Sequence, residues 1–197
     1  MNNLIRERKG MLILSLLVIL LPLGVGLFLW NQLPDQVPIH FGLNGQADNY
    51  AGKAFVVFGL PLLMAALQVL LLVVTMADPK GKNIAAKPFG LLLWICPLVS
   101  LFCGTMTYAK ALALPVDINL VGGLFLGLMF LAVGNYLPKC KQTYTVGIRL
   151  PWTLADEDNW AYTHRLAGKV WTIGGLVILA LTFLRLPVLQ FVVILVL

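Results

Sequence analysis

The chain has 197 residues, of which 60% are hydrophobic and only 11% charged, and its mean hydropathy is +0.91. An ordinary soluble domain carries roughly 25% charged residues, so this composition excludes a water-soluble globule and points to a polytopic integral membrane protein of the all-α class. The net charge of +6 reads as the lysine and arginine of membrane-flanking loops rather than as a nucleic-acid footprint, so no direct nucleic-acid contact is expected.

Taken in chain order, apolar runs predict about six transmembrane helices, at 10–30, 55–76, 88–108, 118–137, 170–184 and 187–197. Each of the first four reaches or exceeds the roughly 18 residues that span a bilayer. The first carries Pro22, Gly24 and Gly26 as kink or close-packing points, and reads as a retained span rather than a cleaved leader because no small-residue cleavage site follows it. Pro34, Pro79, Pro115, Pro138 and Pro187 fall at the proposed boundaries. The last run is a difficulty. As a helix it covers only about 17 Å at ~1.5 Å per residue, against a hydrocarbon core of ~30 Å, so the helix stops short, the bilayer thins, or the sequence is trimmed. The resulting organisation is an N-terminal tail and first helix (1–31), an extracellular segment (32–54), helices two to four (55–137), a cytoplasmic segment (138–169) and a C-terminal hairpin of helices (170–197).

Basic residues set the orientation. With the N-terminus inside, the inner segments hold Arg6, Arg8, Lys9, Lys80, Lys82, Lys87, Lys139, Lys141, Arg149, Arg165 and Lys169, while the outer ones hold Lys53, Lys110 and Arg185. Both termini are therefore expected in the cytoplasm. The proposed spans contain no Asp, Glu, Lys, Arg or His, which disfavours proton-coupled transport. Their polar residues, Ser15, Gln68, Ser100, Thr105, Thr107, Thr172, Thr182 and Gln190, read as hydrogen-bond partners between helices, and Gly123 and Gly127 as a close-packing pair. Cys96 and Cys103, seven apart, share a helix face as packing residues.

Two polar blocks interrupt the apolar chain. The outer one, LPDQVPIHFGLNGQADNYAGK, holds Asp35 between two prolines, then His40 and Phe41, then turn-forming Gly42, Asn44 and Gly45, then Asp48, Tyr50 and Lys53. It reads as a compact loop capping helix ends, with His40 and Tyr50 hydrogen-bonded at the interface, or as a recognition surface for something arriving from outside. A metal held by His40 with Asp35 or Asp48 is a weaker reading, because no HExxH or CxxC framework supports it; no metal or other cofactor is expected.

The inner block begins GNYLPKCKQTYTVGIRLPWT, an irregular basic loop. Thr153 is placed to cap a helix, with Asp156 as the reciprocal acid of a capping box. Asp156, Glu157 and Asp158 then lie in the first turn, where acids suit the helix dipole. Trp160, His164, Ala167 and Trp171 fall on one face. Arg165 and Lys169 lie on another, within reach of anionic membrane lipid, so the helix lies on the membrane and then enters the fifth span. An acid–base pair of His164 with Asp156 or Glu157 is conceivable, but no nucleophile motif such as G-x-S-x-G accompanies it. Capping leaves Gly147, Ile148, Arg149, Pro151 and Trp152 unexplained, and they read as a docking surface.

The two blocks together resemble the SdpI family of bacterial membrane proteins. The outer block is similar to that family's LP-x-x-x-P-x-HF … G-x-x-D-x-x-x-x-K segment. The inner block is similar to its GN-x-x-P-K … GIR-x-PWT-L … W-x-x-TH-x-x-G signature. The resemblance covers roughly a third of the chain and implies a non-enzymatic immunity protein of the bacterial inner membrane, protecting the cell from a secreted toxin peptide. It further implies a signalling role in which the toxin-engaged protein sequesters a small DNA-binding repressor. On this basis the toxin-facing residues are His40, Phe41, Gly45, Asp48 and Lys53, to which the polar make-up of the same loop adds Asp35 and Tyr50. The cytoplasmic docking residues are Asn135, Pro138, Lys139, Gly147, Arg149, Pro151, Trp152, Thr153, Trp160, Thr163, His164 and Gly168. The alternatives are an intramembrane or metal-dependent hydrolase using His40 or His164 with nearby acids, and a passive channel or transporter.

Overall fold

Within hydrocarbon every backbone N–H and C=O must be satisfied inside its own segment, so long apolar runs become helices. The computed structural model describes residues 7–197; Arg6, one of the basic residues used for orientation, lies outside them. The elements are α1 (Lys9–Phe28), β1 (Gln36–Phe41), β2 (Ala47–Gly52), α2 (Leu60–Met76, entered through a π-helical turn at Phe55–Gly59), α3 (Ala86–Ala111), α4 (Ile118–Tyr136, continued by a 3-10 turn at Leu137–Lys139), α5 (Pro151–Ala155), α6 (Glu157–Phe183) and α7 (Pro187–Val196).

Among the described residues, five helical stretches are long and apolar enough to cross a membrane: Lys9–Phe28, Phe55–Met76, Ala86–Ala111, Ile118–Lys139 and Glu157–Phe183. Their exposed side chains include Leu17, Phe28, Val73, Leu128 and Ile173, which suits contact with lipid. The chain is a multi-pass membrane protein. The sixth run forms α7, which is as short as its sequence implied: 10 residues, about 15 Å of helix, half the ~30 Å core. The fifth run is part of one helix of 27 residues that begins at Glu157, so its short apolar length was that of one portion of a longer rod.

The expected outer loop is corrected, because it is a β-hairpin, the exception among the described residues to an all-α fold. Strands β1 and β2 pair antiparallel, Gln36 opposite Gly52, Val37 opposite Ala51, Pro38 opposite Tyr50, His40 opposite Asn49 and Phe41 opposite Ala47. That register leaves Ile39 as an extra residue on one strand and Asp48 on the other, two compensating bulges.

The chain forms two compact units. One comprises Arg8–Leu70 and Leu93–Val121; the described part of the other comprises Glu7, Leu71–Leu92 and Gly122–Leu197. In the first, Leu33, Val37, Val56, Val57 and Tyr108 form a buried core. The Tyr108 hydroxyl donates to the Pro22 carbonyl at 2.9 Å, and the Ser100 hydroxyl to the Ile19 carbonyl at 2.9 Å. A Cβ at Gly26 would strike Tyr108 and Val57, and one at Gly104 would strike Pro22, whereas one at Gly24 would meet nothing. Pro22 and Gly26 are therefore close-packing points and Gly24 is not. Cys96 is buried and Cys103 exposed, so their spacing does not give them the same surroundings.

In the second unit α4 and α6 pack along a seam of small residues. A Cβ at Gly127 would strike Leu179, one at Gly134 would strike Thr172, and one at Gly168 would strike Pro138. With no hydrophobic drive between helices in lipid, such close backbone approach is how they associate. The hydroxyls of Thr172 and Thr182 bond back to the carbonyls of Gly168 and Ile178 at 2.7 Å each, so these two serve their own helix rather than a neighbour.

Candidate functional site

The two polar blocks fold into two separate sites. In the hairpin, the bulge at Asp48 brings its carboxylate to His40, with Nδ1 and Oδ1 2.5 Å apart and both side chains largely exposed (68% and 53%). Asp35 does not join them. It faces Lys53, whose Nζ lies 3.3 Å from its Oδ1, 3.4 Å from the Leu33 carbonyl and 5.0 Å from the Trp30 ring centre. The trio of His40, Asp35 and Asp48 is therefore not assembled, and among the described residues no three His, Cys, Asp or Glu side chains gather as a metal site. Gly45 sits at the turn with φ +72°, its N–H donating to the Gly42 carbonyl at 2.9 Å. Leu43 at the tip accepts from Asn119 Nδ2 at 3.0 Å. Phe41 is half-buried and Tyr50 is exposed; the Tyr50 backbone N–H donates to Asn49 Oδ1 at 2.8 Å.

The inner block is built around His164 and Trp160, which stack with ring centres 4.0 Å apart and are 1% and 2% exposed. His164 Nε2 accepts the Ile148 N–H at 2.9 Å, and Nδ1 lies 2.8 Å from the Trp160 carbonyl. Nδ1 thus carries the proton and Nε2 is an acceptor. Trp160 Nε1 donates to the Cys140 carbonyl at 2.8 Å. Gly147 crosses over these rings with φ +123°, where a Cβ would strike both His164 and Trp160. With both nitrogens committed to backbone and the ring buried, His164 is not brought to Asp156, Glu157 or Asp158 as an acid–base pair.

Thr153 does not cap α6. Its hydroxyl accepts the Leu150 N–H at 2.9 Å and lies 2.9 Å from the Ile148 carbonyl, so it fixes the entry to α5, where Pro151 takes the first position. Asp156 is the cap of α6, accepting from Asp158 N at 2.8 Å and Asn159 N at 3.4 Å. Threonine and aspartate both cap helices, and the backbone breaks at Asp156 in extended conformation (φ −137°, ψ 125°). The remaining motif residues follow. Pro138 packs on Gly168, Lys139 Nζ donates to Asn135 Oδ1 at 3.3 Å, and Thr163 Oγ1 donates to Asn159 Oδ1 at 3.2 Å. Arg149 donates to the Tyr144 carbonyl at 3.0 Å, and Trp152 stands exposed.

Sequence reasoning missed what holds this loop. Asp78, buried in the turn after α2, accepts from Lys80 N at 2.8 Å, Tyr144 N at 2.9 Å and the Thr145 hydroxyl at 2.7 Å. Buried Gln142 donates through Nε2 to the carbonyls of Thr153 at 2.8 Å and Leu154 at 3.1 Å, while its Oε1 accepts from Lys80 Nζ. Asn83 Nδ2 donates to the Gln142 carbonyl at 2.8 Å. The signal was that Asp78 is the sole acid between Asp48 and Asp117, in an otherwise basic turn. Burial pushes the Cys140 thiol above its ordinary range, which makes it a poor nucleophile.

Residues 17–65, which include the hairpin, match the model of a domain of unknown function (DUF1648), and residues 139–197 match that of the SdpI/YfhL protein family. The chain is 27% identical over 175 residues to the immunity protein SdpI of Bacillus subtilis (strain 168), covering 87% of this chain and 81% of that protein. No solved structure matches it. The resemblance to the SdpI family is thus shown both by the family match over the inner block and α6–α7 and by similarity along most of the chain.

Proposed function

We propose that this chain is an immunity protein of the bacterial inner membrane, giving resistance to a secreted antimicrobial peptide. The observation that carries this reading is the similarity to an immunity protein along most of the chain, across both polar blocks. In this reading the hairpin meets the peptide and the loop around Arg149 and Trp152 docks a small DNA-binding repressor. Three membrane-length stretches, Phe55–Met76, Ala86–Ala111 and Ile118–Lys139, lie in sequence between the blocks. An odd number of crossings there, together with the distribution of lysine and arginine, supports the reading in which the hairpin faces outside and the inner block the cytoplasm. The exposed His40–Asp48 pair suits contact with a peptide, because replacing it disturbs no core.

Expression in a peptide-sensitive bacterial strain tests this. The unaltered chain is expected to protect against its cognate peptide. His40→Ala and Asp48→Ala should weaken protection at unchanged membrane abundance, whereas Arg149→Ala and Trp152→Ala should leave protection intact and abolish repressor capture. No protection against any peptide tested, with the protein present in the membrane, overturns the reading.

A further inference from the structure

A second feature of the inner block lies apart from the loop around Arg149 and Trp152, although it shares Pro138, Lys139 and Trp160 with the motif residues. A cavity of about 510 Å³ opens between the end of α4 and the start of α6, walled by Asn83, Lys139, Lys141, Gln142, Glu157 and Trp160 among others. Its position is set by Lys139, the last residue of the apolar stretch Ile118–Lys139. Where hydrocarbon ends, phospholipid headgroups begin.

The walls have spent their own polar groups. Both functional ends of the Gln142 side chain are bonded, Asn83 Nδ2 is held by the Gln142 carbonyl, and Trp160 Nε1 by the Cys140 carbonyl. The lysines are different. Among the described residues the ion pairs are His40–Asp48 and Lys53–Asp35, both in the hairpin. Lys139 and Lys141 therefore have no carboxylate partner there. Lys139 rests against Asn135 and, at 4.9 Å, over the Tyr136 ring, while Lys141 is exposed. Lys80 lies close by through Gln142. Glu157, the one acid in the wall, makes no ion pair among the described residues. A pocket lined half by polar groups, with surplus positive charge at the end of a membrane-length apolar stretch, suits an anion such as a lipid headgroup. Its volume is on the order of fifteen waters at about 30 Å³ each, which exceeds a lone phosphate and suits a phosphodiester with its glycerol.

We propose that this cavity binds the headgroup of an anionic phospholipid, its phosphate held by Lys139 and Lys141. The inference does not depend on the immunity reading. The test uses the full chain in nanodiscs of phosphatidylglycerol and phosphatidylcholine, released and weighed by native mass spectrometry, with inorganic phosphate added as a separate arm. The unaltered chain should retain phosphatidylglycerol selectively. Lys139→Gln/Lys141→Gln should weaken retention roughly thirtyfold, the scale for two lysines at a leaflet surface. Lys87→Gln, an exposed lysine of α3 outside the cavity wall, should leave it unchanged. Lys141→Gln alone guards against misfolding, because this exposed side chain supports nothing, and should still reduce retention. Equal retention by the lysine variants, or equal retention of both lipids, overturns the proposal. Displacement of the lipid by millimolar inorganic phosphate assigns the cavity to a free anion and overturns the lipid source.

Discussion

His164 Nε2 accepts the backbone N–H of Ile148 at 2.9 Å, so a side chain of α6 fixes the loop that precedes α5. The ring also stacks on Trp160 and is buried. Its role is therefore that of a spacer and acceptor. His164→Ala leaves a part-buried N–H unpaired and a hole beneath Trp160, at about 2–4 kcal/mol. Unfolding of the purified chain in mild detergent should show this as a clear loss of stability. Unchanged stability with lost function would instead assign His164 to chemistry.

Gly147 offers a sharper contrast. Its φ of +123° is one that a side chain rarely adopts, and a Cβ would strike His164 and Trp160. Gly147→Ala should destabilise by about 1–3 kcal/mol from backbone strain alone, with more from the collision. Gly24→Ala, where a Cβ meets nothing, should be silent or slightly stabilising through helix propensity. The pair measured in one unfolding series checks that position, not glycine content, decides the outcome.

Asp78 holds the inner loop by two contacts more than sixty residues away in sequence, Tyr144 N and the Thr145 hydroxyl. Hydrogen bonds to a charged group contribute about 1.5–3 kcal/mol each. Asp78→Asn, which puts a donor among donors, should open the loop locally. Trypsin cleavage after Lys141 and Arg149 in detergent-solubilised protein should accelerate on the order of tenfold or more. Equal cleavage rates in the two proteins would remove Asp78 from this role.

These residues also mark what was legible beforehand. Helix length is set by bilayer thickness, so the apolar runs announced the long helices, and only α7 fell short. The hairpin was missed because QVPIHF carries a proline and ADNYAG has neither β-branched residues nor clean alternation. Bulges at Ile39 and Asp48 further break the period of two. The acids of α6 were read correctly as a helix start, but Thr153 and Asp156 both fit the cap, and only the backbone distinguishes them. The stacking of Trp160 and His164 was legible as a shared face. Asp78 and Gln142 were not, because their partners are set by tertiary folding and no local spacing encodes them.

Pro97 lies inside α3 and has no N–H, so the carbonyl of Leu93 four residues earlier loses its helical donor. Gln68 Nε2, from α2, supplies one at 3.3 Å. Gln68 is buried and its Oε1 has no partner among the described residues, so its amide is retained at some expense. A double-mutant cycle isolates the relationship. Gln68→Leu in the natural background leaves the Leu93 carbonyl unpaired and should destabilise by about 0.6 kcal/mol, up to roughly 1.7, the range for such bonds in membranes. In a Pro97→Ala background the helix satisfies that carbonyl itself, and Gln68→Leu should become neutral or stabilising because it also removes the orphan Oε1. The coupling, read from unfolding of the four proteins in detergent, should therefore be non-zero. Additive effects would mean that the proline is accommodated by bending of α3 rather than by the glutamine.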